Sequence, residues 1–503
     1  MKRYFAILLF LIVTVNIKGS AKGRIMMLDS CIDSTFNAEL KFHYPEKYFL
    51  NPVLKADKSW EFNKNGDPYA APFSGGVWYD EVDSIFKMWY SAGGGKKNGL
   101  VTCYAESENG IDWTKPRLDI VPGTNIVDTL EHDCVTVLLD KHEKNLARRY
   151  KMFCVKFDTP STVSMALKYS SDGKHWGEIV GLSGDLYDRC SAYYDAFRQK
   201  YVLSLKTKDE NNLRARNFIE HDDPEMVVSL AHRVYGNKND KFIKFWFSAD
   251  KDDPRHPEYP EIAPAIYNHD AIPYESLLLG QFVIWQGPEN KDCIKLNVQK
   301  RNEVLWGFSY DGFNWLRPDK VPFIPVCEDT DAWDAGNIQS TMGSPIIVGD
   351  SLYFYYSGRY NSRPEHPSNF ATGLAKLRRD GFVSFSPKNN NEEAVIITRP
   401  MKINEKYLFM NVDAGQGDIT ISIYSENGEI PIGKYHISHV NSTKIKVADI
   451  PRFVSDKSAL YRLKITLRNA SLYSFWLSNS IMGNSKGYTG GGGPGLHSSG
   501  VDY

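Results

Sequence analysis

A short turn motif recurs along the chain and limits the folds open to it. Ser309-Tyr-Asp-Gly-Phe-Asn-Trp315 runs from a polar strand end into Asp311-Gly312, with a tryptophan three residues on. That pattern predicts a tight hairpin with an aromatic ring tucked beneath it. Ser107-Glu-Asn-Gly-Ile-Asp-Trp113 and Ser171-Asp-Gly-Lys-His-Trp176 are further copies, and Arg379-Asp-Gly-Phe382 is a degenerate one. Their glycines, at 110, 173, 312 and 381, stand 63, 139 and 69 residues apart. The long gap spans about two ordinary ones, so a degraded copy is expected near Phe245-Trp-Phe-Ser-Ala-Asp-Lys-Asp-Asp253. Five copies at a fairly steady spacing imply five similar supersecondary units, as in a solenoid, propeller or array.

Each unit reads as four short strands. In the first, Gly75-Gly-Val-Trp-Tyr79 is the inner strand and Phe86-Lys-Met-Trp-Tyr90 the second, and Val101-Thr-Cys-Tyr-Ala105 leads into the turn. Val135 to Leu139, Ser191 to Tyr194, Ser276 to Gly280 and Ser344 to Val348 are the expected inner strands of the later units. No helical period is sustained, so the expectation is a five-bladed β-propeller, whose radial closure hides sheet edges. A charged insertion at 207–262 reads as surface loop. Past residue 400 the grammar changes to longer strands, among them Ile419 to Tyr424 and Tyr461 to Thr466, which suggest a small sandwich. The expected fold is therefore all-β: a propeller over 22–400, a C-terminal β-sandwich over 401–482, and a glycine-rich tail or strap over 483–503.

Lys2 and Arg3 precede the apolar run Phe5 to Val15, and Gly19-Ser-Ala21 offers small residues for cleavage, so 1–21 reads as a signal peptide. No cysteine sits at its end, so a secreted or periplasmic protein without a lipid anchor or membrane span is expected. Lysine and arginine number 60 against 61 acids, a net charge of −1, which argues against a nucleic-acid partner. Seven widely spaced cysteines form no zinc pattern and read as buried small hydrophobes with at most one disulfide. No cofactor is expected. Asp250, Asp252 and Asp253 could bind a structural calcium ion, but they miss the EF-hand spacing, and a solvated acidic loop is the plainer reading.

A propeller gathers the starts of its inner strands around one axis. His132-Asp133, Asp188-Arg189 and Tyr274-Glu275 stand just before three expected inner strands. Three acids converging there would push at least one pKa up, as glycoside hydrolysis requires of its acid. Alternatively, each acid caps a turn, as Asp80, Asp140 and Asp350 are read to do. Arg189, Arg214, Arg216 and Glu220 follow, and Tyr267-Asn-His-Asp270 could line the same mouth. An arginine fork could hold a sugar hydroxyl or carboxylate, or lie in an ion pair between blades. Asp331, Trp333, Asp334 and Gln339 precede the fifth inner strand, with Trp333 either a sugar platform or core.

Phe86-Lys-Met-Trp-Tyr90, Val121-Pro-Gly-Thr-Asn-Ile-Val127, Tyr274-Glu-Ser276, Gly349-Asp-Ser-Leu-Tyr-Phe-Tyr-Tyr356 and Leu377-Arg-Arg-Asp-Gly-Phe382 carry a resemblance. So do Leu472-Tyr-Ser-Phe-Trp476 and Gly487-Tyr-Thr-Gly490. Through them the chain resembles the five-bladed propeller glycosidases of glycoside hydrolase families 32 and 43, and more closely a bacterial group known as family 32/43-like. The resemblance implies carboxylates from separate blades. Asp133 matches the transition-state-stabilising aspartate, and Glu275 is the candidate acid. The first-blade aspartate is absent from Ala71-Pro-Phe-Ser-Gly75, with Asp67 nearby, and Asp188 is expected to take its role. The sequence thus predicts a secreted, exo-acting glycosidase using Asp133, Asp188 and Glu275, with His132, Arg189, Arg216, Tyr274, Trp333 and Asp334 binding substrate. A non-catalytic carbohydrate-binding propeller is the alternative. A sialidase fits less well, because it needs six blades and three arginines on a carboxylate. Sugar, linkage, stereochemistry and oligomeric state are not legible.

Overall fold

The computed structural model describes residues 22–503 except 29–30, 75, 96–98, 237, 239, 342–343, 361–368, 390–391 and 451–458. The expected signal peptide lies outside the described residues, as does Gly75 at the head of the first expected inner strand. The described chain is nearly all β, with two seven-residue helices, Pro224–Leu230 and Asn290–Leu296. None of its helices is long and apolar enough to cross a membrane. It divides into two compact units: 1–41 with 383–485, and 42–382 with 486–503.

The larger unit is a series of antiparallel meanders. The first contains Val77–Asp80, Ile85–Ala92 and Leu100–Ser107; the second, Ile126–Leu139, Tyr150–Thr159, Thr162–Ser170 and Gly181–Leu182. The third contains Ser191–Asp195, Lys200–Lys208, Arg214–His221 and Lys244–Phe247, so the segment expected to hold a degraded turn opens as the outer strand and then turns at Asp250 to Asp253, where the Asp253 N–H donates to the Asp250 carbonyl at 3.2 Å. The fourth contains Ala265–Glu275, Leu277–Gly287 and Arg301–Ser309. Its inner strand is therefore the stretch up to Glu275, and the run expected to be inner is the second strand. The two apolar runs are both fully buried, so periodicity could not rank them. The fifth contains Ile346–Val348, Ser351–Tyr360 and Asn369–Arg378, and the early strand Glu46–Lys47 pairs with Ala375 and Lys376. A lead-in segment thus supplies the outer strand of the last meander.

The recurrent turn works as a hydrogen-bond device. In all three full copies a serine Oγ (Ser107, Ser170, Ser309) accepts from the glycine N–H at 2.9 Å. The next side chain (Asn109, Asp172, Asp311) accepts from the two N–H groups beyond the glycine at 2.7–2.9 Å. The glycines have φ of 73°, 77° and 75°, where a side chain is strained. An aromatic from the preceding meander then donates to each glycine carbonyl: Trp89 to Gly173 at 2.6 Å, Tyr193 to Gly312 at 3.4 Å, and Tyr355 to Gly110 at 2.6 Å. The last bond joins the fifth meander to the first. Val77, Phe86 and Met88 share a buried cluster there with Ile346, Tyr355 and Leu374. Each such fully buried side chain contributes about 1.5–3 kcal/mol. A Cβ on Gly173 would overlap the Trp89 ring. Gly173→Ala is therefore expected to cost about 2–4 kcal/mol in a urea titration, backbone strain and overpacking adding.

The glycine-rich end is a strap. Tyr488 and Thr489 pair with Glu275 and Tyr274, and the Tyr488 hydroxyl donates to the Ala196 carbonyl at 3.1 Å. Tyr79 N–H donates to the Gly491 carbonyl at 2.9 Å and Ile347 N–H to that of Gly492 at 2.8 Å. The segment crosses the far ends of several inner strands, and a Cβ on Gly493 would overlap the Ile347 carbonyl. Glycine is what lets backbone lie on backbone there.

In the smaller unit, the long strand Tyr407–Ser425 pairs along its length with Gly433–Asp449. On its other edge it pairs first with Ser471–Ser478 and then, after a break in register at 414–418, with Tyr461–Arg468. Alternation sends Leu463, Ile465 and Leu467 inward. Val383–Pro387, Ala394–Thr398 and Ile32–Phe36 also belong to this sheet. The expected boundary at 400/401 thus falls inside this unit: 383–398 finds its hydrogen-bond partners here and not in the meanders.

Candidate active site at the starts of the inner strands

Every inner strand of the larger unit is irregular at the same level. In the strand Ile126–Leu139, Cys134 faces Val155 and His132 faces Lys156, so Asp133 is the extra residue of a β-bulge. In Ala265–Glu275, Ile266 faces Ile284 and Asn268 faces Val283, which makes Tyr267 the extra residue. In Asn337–Ser340, Ile338 faces Gly358 and Ser340 faces Ser357, leaving Gln339 extra. Before the strands Ser191–Asp195 and Val77–Asp80, Arg189 and Ser74 take left-handed φ of 59° and 57°. Bulges and strained residues re-aim side chains and gather at functional sites.

Two predicted acids meet here. The Arg189 N–H donates to Asp133 Oδ2 at 3.2 Å, and Arg189 Nε lies 3.3 Å from the same oxygen. Asp188 precedes Arg189 and accepts from Lys206 Nζ. Both carboxylates reach solvent, with side chains 15% and 43% exposed. Burial raises the Asp133 pKa; Arg189 opposes that rise and Asp188 adds to it. Burial pulls Asp188 upward too, but Lys206 and Arg189 outweigh it and hold the carboxyl below its ordinary value. Two neighbouring acids are thus pushed apart, one toward the protonated form and one toward the ionised form.

Tyr267 faces this pair. Its ring centroid lies 6.0 Å from Arg189 Cζ, 5.6 Å from Arg214 Cζ and 4.7 Å from Lys300 Nζ. Burial would raise the phenol, yet Arg189 and Lys300 hold it below its ordinary value. Further along the same strand Asp270 is buried, within 2.9 Å of Asn268 Nδ2 and 3.4 Å of Ser340 Oγ, and burial pushes its pKa up to about 7.

The other predicted residues lie elsewhere or are occupied. Glu275 is at the opposite end of the inner strand, eight residues beyond Tyr267 or about 26 Å at strand rise. It is 1% exposed and accepts from Arg379 at 3.2 Å. Asp80, Asp140 and Asp195 close the corresponding hairpins, with Lys87, Lys151 and Arg198 as partners. Glu275 therefore belongs with these hairpin-end acids. Tyr274 is likewise buried, donating to Asp380 at 2.6 Å. His132 is buried with Nε2 3.0 Å from Thr102 Oγ1, and burial lowers its pKa to about 4. A neutral internal imidazole is no substrate ligand. Arg216 is fully buried, its guanidinium bonding Ser204 and, at 2.8 Å, the Arg189 carbonyl, so it props the site from behind. Asp334 binds Lys47 at 2.7 Å and accepts from Tyr356 at 2.9 Å, while half-buried Trp333 stacks on Tyr356 at 5.7 Å. Asp250 and Asp253 are bound by Arg317 and Lys320, and no metal-like cluster of His, Cys, Asp or Glu occurs among the described residues. Six of the seven cysteines are buried.

No family model matches the chain, and no curated protein matches it. Among solved structures it is similar to a β-1,2-mannobiose phosphorylase from Listeria innocua at 12% identity and a TM-score of 0.43, covering 66% of this chain and 96% of the other. It is also similar to a GH32 β-fructofuranosidase of Bombyx mori at 11% identity and a TM-score of 0.39, covering 86% and 93%. An N-acetylgalactosamine deacetylase from F. plautii matches at 14% identity and a TM-score of 0.40, covering 66% and 97%.

Proposed function

We propose that the protein is a secreted glycoside hydrolase built on a five-bladed β-propeller with an accompanying β-sandwich unit, and that Asp133 and Asp188 carry the chemistry. The observation behind this reading is the bulge that turns Asp133 out beside Asp188 and Arg189 at the start of neighbouring inner strands. Asp133, raised by burial, is the general acid that protonates the leaving oxygen. Asp188, kept ionised by Lys206, is the base or nucleophile. Arg189 fixes the orientation of Asp133. Tyr267 and the half-buried Trp333 are surfaces on which a sugar ring could rest.

Incubating the full chain with a panel of oligosaccharides and following released sugar tests this. Cleavage that disappears in Asp133→Asn is expected, and the anomer formed, read by NMR, assigns retention or inversion. Calorimetric binding without any released sugar would instead establish a non-catalytic carbohydrate-binding propeller.

A further inference from the structure

Lys300 is 5% exposed, yet its ammonium makes no hydrogen bond or ion pair among the described residues. The nearby acids already have partners: Asp133 has Arg189, Asp188 has Lys206, and Glu289 lies 3.1 Å from Arg214. Burial pushes the Lys300 pKa down; Tyr267 opposes that fall, and the positive charges of Arg214, Arg359 and Arg189 add to it. Arg359 is held against the face of Phe370 at 4.4 Å, and Phe370 stacks on Tyr69 at 4.2 Å, so this cation is also fixed in place. A desolvated cation without a counter-charge costs several kcal/mol, a cost that an incoming anion removes. Two guanidinium forks and an ammonium within 6.0 Å of one ring centroid suit a planar or tetrahedral oxyanion.

The geometry points to a subsite for an oxyanion formed by Lys300 and Arg214 at the Tyr267 ring, beside Asp133, with the charge of Arg359 near enough to add to it. This deepens the hydrolase reading and rests on it for the site's purpose. The ligand carries a carboxylate on a sugar ring, as a uronic acid residue does, or is free inorganic phosphate. Neutral sugars lack the group that Lys300 awaits.

Calorimetry and thermal melting of the full chain at low salt, with galacturonate, glucuronate, phosphate, galactose and glucose, form the test. An acidic sugar or phosphate is expected to bind and raise Tm, with the neutral sugars weaker by at least about tenfold. Preference for the uronates assigns the anion to the glycan, and preference for phosphate assigns it to a free ion. Lys300→Met should lower anion affinity by about tenfold or more while leaving Tm unchanged or raised, because a buried unmatched charge is removed. If that variant does not fold, Arg214→Gln, whose side chain is partly exposed, should show the same loss. Equal affinity for acidic and neutral sugars, or anion binding untouched by either substitution, overturns the proposal. Anion binding without cleavage of any glycan would leave the subsite and remove the hydrolase. Cleavage of neutral glycans without anion affinity would do the reverse.

Discussion

Asp188→Asn is expected to fold normally and to lose about 10²–10⁴ in turnover, the range a positioned acid or base supplies. Its carboxylate is almost half exposed and its one strong partner, Lys206, is itself partly open to solvent, so little stability rides on it. Asp133→Asn should lose a similar factor. The two variants differ in their pH profiles. The proposed assignment needs Asp188 ionised and Asp133 protonated. Asp188 sits below the ordinary carboxylate value and Asp133 above it, so the rate should be highest between the two and fall as pH rises through the Asp133 pKa. Asp133→Asn should abolish that upper limb, and Asp188→Asn the lower one. Glu275→Gln is the discriminating control. Its carboxylate is buried against Arg379 far from the pair, so turnover should persist while stability falls. An inactive but fully stable Glu275→Gln protein would overturn the site assignment.

How much of this was legible in the chain can be seen residue by residue. The Ser-x-Asp-Gly turns were readable because one local device, a serine and an acid each satisfying backbone N–H groups beyond a glycine, has to be written out at each use. The pairing of Asp133 with the Asp188 locus was readable from the same place in two repeats. Glu275 failed because two consecutive runs, Ala265–Glu275 and Leu277–Gly287, are both buried along their whole length, so the sequence did not say which was inner. A shift of one strand exchanges the mouth for the opposite end. Lys300 and Arg359 were passed over because no local pattern marks them: Lys300 stands just before Arg301–Ser309 in the same meander as Tyr267, and Arg359 lies in the next meander, so only the folded strands bring them near that ring. Arg216 was named for its chemistry, which is real, but it spends its donors on Ser204 and the Arg189 carbonyl. The strap was left open between tail and brace because glycine permits both, and only the overlap a Cβ would meet at Gly493 decides it.

The largest stability effect should come from Asp80, at the end opposite the proposed site. Its carboxylate accepts from Lys87 at 2.9 Å, from Arg149 at 2.6 Å and from the Tyr150 hydroxyl, with Asp80 and Lys87 side chains 1% and 3% exposed. Burial alone would raise the Asp80 pKa, but Lys87, Tyr150 and Arg149 outweigh it and hold the group below the usual carboxylate range. Asp80→Ala removes the centre of that network and leaves a buried ammonium with half-exposed Asp83 as its carboxylate partner, beside the neutral Tyr150 hydroxyl and Asp172 carbonyl. Breaking one side of a buried pair costs about 3–5 kcal/mol, whereas Asp83→Ala, losing a solvated partner, should cost under about 1 kcal/mol. The pH dependence fixes the cause. A carboxyl depressed in the folded state stabilises above its unfolded value near 4, and the contribution is lost as pH falls through the folded value. Urea midpoints of wild type and Asp80→Ala should therefore stay far apart at neutral pH and converge in acid. Asp80→Leu combined with Lys87→Met should recover much of the loss, because removing both charges removes the desolvation cost with them. A double variant as unstable as the single one would mean that packing around Tyr150, and not the ion pair, holds this end of the sheet.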